Sequence, residues 1–158
     1  MLTLTIIRHA KTNQESSTGK DFDRELLPRG ISQCDELATY LKTAPISPEL
    51  ILVSTAKRTQ KTFELIRHSF SNIEKNESSE FYLASQQELL QYFWKLGHSK
   101  NVLFIGHNYG ISDFASYITN EFIDLGTSEL IHIEIPIDDW SELSNDQGKI
   151  TYRFRPEA

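Results

Sequence analysis

Short apolar runs alternate with longer periodic segments along the chain. Leu2 to Ile7 alternates Leu and Ile with Thr and closes on two isoleucines, which predicts a buried first strand. Lys11 to Pro28 is polar and charged, holds Gly19, and reads as a long loop; long ordered loops are often functional. From Gly30 the spacing of Ile31, Leu37, Tyr40 and Leu41 predicts a helix that ends before Pro45. Leu50 to Val53 predicts a second short buried strand. Ser54 and Thr55 offer cap chemistry for a helix from about Ala56 to Phe70, with Phe63, Ile66 and Phe70 on its inner face.

A polar stretch, Ser71 to Ser79, precedes a predicted short strand at Glu80 to Leu83. Ser85 is placed to cap a helix running to about Leu96, with Leu89, Phe93 and Leu96 inward. Asn101 to Gly106 reads as another buried strand, and a helix from about Tyr109 to Ile118 follows at once. Strands are predicted near Leu130 to Ile135 and Lys149 to Phe154, with a polar turn region between them at Asp138 to Gln147. This alternation implies an α/β protein, a mostly parallel central sheet with helices on both faces. No repeat, linker or low-complexity tract interrupts the 158 residues, so one domain spanning 1–158 is expected.

Composition narrows the function classes. The formal net charge is -6 and the sequence pI is about 5.3. A protein built to grip nucleic acid needs a surplus of Lys and Arg, so no nucleic-acid partner is expected. A local anion pocket remains open, because a few convergent arginines can form one in an acidic protein. The one cysteine, Cys34, cannot form an internal disulfide, and its apolar-periodic setting suits a core position. The apolar start is too short for a signal-peptide core, and no stretch approaches a membrane span. A cytoplasmic protein with no membrane partner is expected; the oligomeric state is left open.

The informative residues follow the strands. The first strand ends in Arg8-His9, the second runs into Ser54 and on to Arg58, and the strand starting near Val102 ends in Gly106-His107-Asn108. Parallel strands would bring these segments to one sheet edge, where open α/β sheets bind ligands. A neutral histidine nitrogen can attack phosphorus. Arginine forks match the oxygens of a transferring phosphoryl group. The helices after Ser54 and His107 would aim amide groups at the same anion. Taken singly, each of these residues also reads as a surface charge or a structural hydrogen-bonding group; the weight lies in the combination. Histidines flanked by arginines suit a cation poorly, so neither a metal nor another cofactor is expected. Of the other histidines, His68 sits at a helix end, His98 in a loop, and His132 in a strand facing its polar side.

At these positions the sequence resembles the histidine phosphatase superfamily, and within it the small SixA-like branch. Ile7-Arg8-His9-Ala10 resembles its Arg-His signature, Ser54 to Thr62 its Ser-x-x-x-Arg-x-x-x-Thr segment, and Gly106-His107-Asn108-Tyr109-Gly110 its Gly-His-Asn-x-Gly segment. Asp21 to Gly30 is similar to the SixA-like Asp-x-x-Arg-x-Leu-x-x-x-Gly loop. The matches run in family order to about residue 118. The resemblance implies a phosphoglycerate mutase-like three-layer α/β/α sandwich. It implies a phosphorylated nucleophile at His9, a phosphate pocket from Arg8, Arg58 and His107, a backbone contribution from Asn108, and an approach by Arg24. Tyr109 departs from the proline common at that point, which is expected to alter the turn and not the chemistry.

A second departure concerns the acid. Many relatives carry a carboxylate just after the third strand, whereas Phe81 to Gln87 contains none and Glu88 lies a helical turn further on. An alkoxide leaving group benefits strongly from a positioned acid; an imidazole can leave already protonated. The chain also lacks a large insertion between Val53 and Phe81 that could cap the site. These features point to a phosphorylated protein carrying phosphohistidine as substrate. Two alternatives stay open. One is a broad phosphomonoesterase acting on small phosphorylated substrates with Glu88, Asp21 or Asp23 as acid. The other is a non-catalytic phosphoprotein-binding module.

Overall fold

The computed structural model describes residues 1–158. Its strands are β1 (Leu2–Arg8), β2 (Leu50–Ser54), β3 (Glu74–Ser78), β4 (Asn101–Gly106), β5 (Leu130–Ile135) and β6 (Lys149–Phe154). Its α-helices are α1 (Pro28–Thr43), α2 (Lys57–Ile66), α3 (Gln86–Trp94) and α4 (Gly110–Thr119). The strands form one six-stranded sheet in the order β3-β2-β4-β1-β5-β6. β3, β2, β4 and β1 pair in parallel, while β5 runs antiparallel to both β1 and β6.

Side-chain alternation sorts the core onto two faces. Leu4 and Ile6 of β1, Leu52 of β2, Phe104 of β4 and Ile131 and Ile133 of β5 pack with Leu89 and Phe93 of α3 and Phe114 and Ile118 of α4. Ile7, Ile51, Val53, Leu103, Ile105 and Leu130 pack instead with Cys34, Leu37 and Leu41 of α1 and Ile66 of α2. The result is the expected three-layer α/β/α sandwich. Cys34 is fully buried, and burial pushes its thiol up to about 11. No helix is long and apolar enough to cross a membrane.

Several expectations need correction. The strand placed at Glu80 to Leu83 is a 3-10 helix (Ser79–Phe81) followed by a turn at Tyr82 and Leu83. One of the sheet's two outer strands is β3, in the stretch read as polar connection. β3 lies at the sheet edge with four exposed residues in five, so it needs no apolar face and its polar sequence hides it. Phe81 is buried from the turn, wedged against Tyr92 and Phe104. The helix expected to reach Phe70 stops at Ile66 and tightens into a 3-10 turn at Arg67–Ser69. Its N-cap is Ala56 with no side-chain cap. By contrast, Ser85 and Glu88 form a reciprocal capping box on α3.

His132 does not face a polar side. It is 6% exposed and shares a 2.7 Å hydrogen bond with the buried Thr5 hydroxyl across the β1–β5 pairing. β5 is an inner strand covered on both faces, so alternation there selects between two buried surfaces.

Candidate active site

The register of the central strands sets the site. Arg8 at the end of β1 pairs with Gly106 at the end of β4, and Val53 of β2 pairs with Ile105. The His9 amide continues the ladder to the Gly106 carbonyl at 3.1 Å. The three strand ends therefore lie side by side, and the chain leaves each of them carrying a functional group. A cavity of about 180 Å³ opens there, lined by Arg8, His9, Arg24, Arg58, His107 and Asn108, which sequence reasoning named, and by Lys11, Thr12, Gln14, Asp21, Leu83 and Thr127.

His9 is 7% exposed. Its Nδ1 lies 2.8 Å from the Ala10 carbonyl. A carbonyl oxygen only accepts, so Nδ1 carries the proton and Nε2 keeps its lone pair. Burial lowers its pKa to about 3, assisted by the charges of Arg58 and Arg8 and opposed by the Ala10 bond. His9 is therefore neutral at physiological pH. Thr62 fixes the adjoining backbone: its hydroxyl accepts from the Ala10 amide at 3.0 Å and donates to the Arg58 carbonyl at 2.7 Å. The final Thr of the Ser-x-x-x-Arg-x-x-x-Thr segment thus ties α2 to the His9 turn.

His107 stands beside it, with the two ring centroids 5.4 Å apart. His107 Nε2 shares a 2.7 Å hydrogen bond with Ser54 Oγ, and its Nδ1 is buried without a partner. Burial, followed by the neighbouring His9 and Arg58, lowers its pKa to about 3. Sequence reasoning assigned Ser54 to helix capping; the structure spends it mainly on His107.

Both pocket arginines are held from behind. Arg8 Nη1 donates to the Leu125 carbonyl at 3.0 Å, while Arg8 Nε is buried and unpartnered. Arg58, on the first turn of α2, is 2% exposed. Its Nη1 and Nη2 donate to the carbonyl and carboxylate of Asp21 at 2.8 and 2.9 Å, and its Nε has no partner. Arg24 lines the cavity, but each of its nitrogens is engaged: Nε with the Asn13 carbonyl, Nη1 with Asp21 and Nη2 with Thr12. The Asn108 side chain braces the wall. It donates to the same Leu125 carbonyl at 2.9 Å and accepts from the Ser112 hydroxyl.

Two candidate acids are placed by this geometry. The Glu88 carboxylate is exposed and caps its own helix. Asp21 faces the cavity but accepts hydrogen bonds from Tyr82, Arg24 and Arg58, which hold its carboxyl well below the usual carboxylate range despite the opposing effect of burial. At Gly110, a Cβ would fall 1.7 Å from the Ala84 carbonyl oxygen. The start of α4 therefore packs backbone to backbone on the segment after Leu83, closing one wall.

The family model of the histidine phosphatase superfamily (branch 1) matches residues 4–82, and the chain belongs to that superfamily. No curated protein sequence matches it significantly. Among solved structures, the fold is similar to a candidate SixA phosphohistidine phosphatase from Agrobacterium tumefaciens, with 22% identity, a TM-score of 0.85 and 98% of each chain covered. It is similar to the protein histidine phosphatase SixA complexed with tungstate, at 18% identity, a TM-score of 0.80 and 96% of each chain. A candidate α-ribazole-5'-phosphate phosphatase from Escherichia coli also matches, at 15% identity, a TM-score of 0.71 and 96% of each chain. These likenesses establish the phosphoglycerate mutase-like fold.

Proposed function

We propose that the protein is a phosphatase that takes the phosphoryl group of its substrate onto His9 and passes it to water, with phosphohistidine in a protein as the substrate. One observation carries this reading. Four cavity-lining residues at or just past three strand ends are each tied to the protein, Arg58 through both Nη atoms and the others through one polar atom, and each leaves another atom unbonded: His9 Nε2, Arg8 Nε, Arg58 Nε and His107 Nδ1. A tetrahedral oxyanion gives the three donors their partners and presents phosphorus to the lone pair. With the Ser54 hydroxyl donating to His107 Nε2, even a neutral His107 offers Nδ1–H to a phosphate oxygen. A bound dianion further favours its protonated form.

In the first step the His9 Nε2–phosphorus bond forms as the substrate phosphorus–leaving group bond breaks. In the second, water attacks phosphorus, the bond to Nε2 breaks, and inorganic phosphate departs with the water proton redistributed to phosphate or solvent. Arg8 and Arg58 stabilise the charge on the transferring group in both steps. Asp21, the one carboxylate lining the cavity, is held ionised and is a poor proton donor. A leaving group of pKa near neutrality suits such a site better than an alkoxide. The likeness to SixA structures supports the same substrate.

The test is a side-by-side assay of a phosphohistidine-bearing protein, p-nitrophenyl phosphate and sugar phosphates. The phosphohistidine protein should give the highest kcat/KM. Efficient hydrolysis of sugar phosphates with phosphohistidine left intact would overturn the substrate assignment.

A further inference from the structure

Asp21 supplies the one carboxylate lining the cavity, and no step of the proposed mechanism uses it. It belongs to a short 3-10 turn (Asp21–Asp23) in the loop between β1 and α1. Its Oδ2 accepts from Arg58 Nη2 at 2.9 Å and from the Tyr82 hydroxyl at 2.5 Å, its Oδ1 accepts from Arg24 Nη1 at 2.9 Å, and its carbonyl accepts from Arg58 Nη1 at 2.8 Å. The Tyr82 ring in turn packs edge-on against His107 and lies under the Arg58 guanidinium. One carboxylate therefore couples the loop, α2 and the turn before α3.

The pattern of bonds on Arg58 gives this hub a purpose. A guanidinium presents an end edge, made by Nη1 and Nη2, and a side edge, made by Nε and one Nη. Asp21 occupies the end edge with two acceptors. The Nε side is left without a partner in a residue that is 2% exposed. We infer that Asp21 is a positioning residue: it fixes the Arg58 fork so that its Nε edge serves the phosphoryl oxygens, with Tyr82 holding the carboxylate in register. This rests on the phosphate-pocket reading above.

Positioning and plain electrostatics predict opposite signs here. Asp21→Asn removes a negative charge from the cavity, so a purely coulombic role would tighten oxyanion binding. Loss of orientation loosens it. The experiment measures tungstate binding by calorimetry, and kcat and KM on the phosphohistidine protein, for wild type, Asp21→Asn, Tyr82→Phe, Arg58→Ala and the Asp21→Asn/Arg58→Ala pair. Thermal melting serves as a control for folding.

Asp21→Asn should weaken tungstate about tenfold and lower kcat/KM by about 10- to 100-fold, the scale on which orienting partners act. Tyr82→Phe should give a smaller loss of the same kind. In the Arg58→Ala background the Asp21→Asn change should cost less than about threefold, because residues acting through one another are non-additive. Tungstate bound equally or more tightly by Asp21→Asn would overturn the inference. So would an Asp21→Asn loss as large without Arg58 as with it. Failure of the phosphatase reading is separable. It shows as wild-type protein that binds tungstate but turns over no phosphorylated substrate, and the binding comparison still decides the role of Asp21.

Discussion

His9 and His132 are buried to almost the same degree, 7% and 6% exposed, and burial lowers both pKa values. Their surroundings differ in what is left over. His132 sits within β5, bonded through Nδ1 to Thr5 and packed 5.5 Å from the Tyr152 ring, on a face closed by α1 and its neighbours. His9 sits one residue past β1, bonded through Nδ1 to its own chain, with Nε2 unbonded and a cavity before it. Burial and a shifted pKa mark both histidines, so neither property identifies a reactive one. Position decides: the middle of a strand surrounds a ring with packed chain, whereas the carboxyl edge leaves a side of it open to a ligand.

The comparison is broken most sharply at His9. His9→Ala should reduce turnover by at least about 10³-fold and abolish acid-labile labelling of the protein by a phosphodonor, measured by single-turnover assay and gel. A labelled His9→Ala protein would move the nucleophile elsewhere.

Next in size is the pH dependence of stability. His9 and His107 have folded pKa values near 3 against an ordinary 6.5. The unfolded chain therefore binds protons that the folded chain does not as pH falls below 6.5, and stability must decline through the window from 6.5 down to about 3. Each histidine contributes up to about 1.4 kcal/mol per pH unit inside that window. Denaturant titrations at pH 7.5, 6 and 5 check this, and His107→Gln should flatten the slope. An unchanged midpoint between pH 7.5 and 5 contradicts it.

The smallest effects separate the two regions by kind. Ser54→Ala, which leaves the buried His107 Nε2 without its partner, should lower kcat/KM about tenfold beside a stability cost of about 1–2 kcal/mol. Thr5→Val, which strips the partner from His132, should cost about 1–2 kcal/mol of stability and leave kcat/KM unchanged. Kinetics and chemical denaturation of both variants test the pair; an activity loss in Thr5→Val would erase the distinction between the two histidines.

Much of this was visible in the sequence where local pattern and local structure coincide. β4, β5 and β6 have the expected limits, because compact apolar or alternating runs are bounded by turn residues. Arg8, His9, Arg58 and His107 were nameable because each lies at a strand end or shortly past one, and parallel register then brings strand ends together. Interactions without a local signal were missed. β3 is polar because an edge strand can be. His132 reads outward only if one assumes a sheet with a wet face. The Asp21 hub joins residues 37 and 61 positions away, and no periodicity encodes such a tie. Ser54 fits a helix-capping pattern, yet its stronger partner is a histidine 53 residues distant.

The close approach at Gly110 bears on how this pocket can diversify. With no room even for a methyl group against Ala84, that seam between two walls is effectively a fixed length. Descendants of this sequence cannot widen or narrow the pocket gradually there. Variation is channelled to the side chains flanking the seam, Leu83 and Tyr109, which are 53% and 74% exposed, with Leu83 held at a left-handed φ of 50° that disfavours β-branched replacements. Divergence in substrate range among related chains should therefore be written at those two positions, with Gly110 held constant.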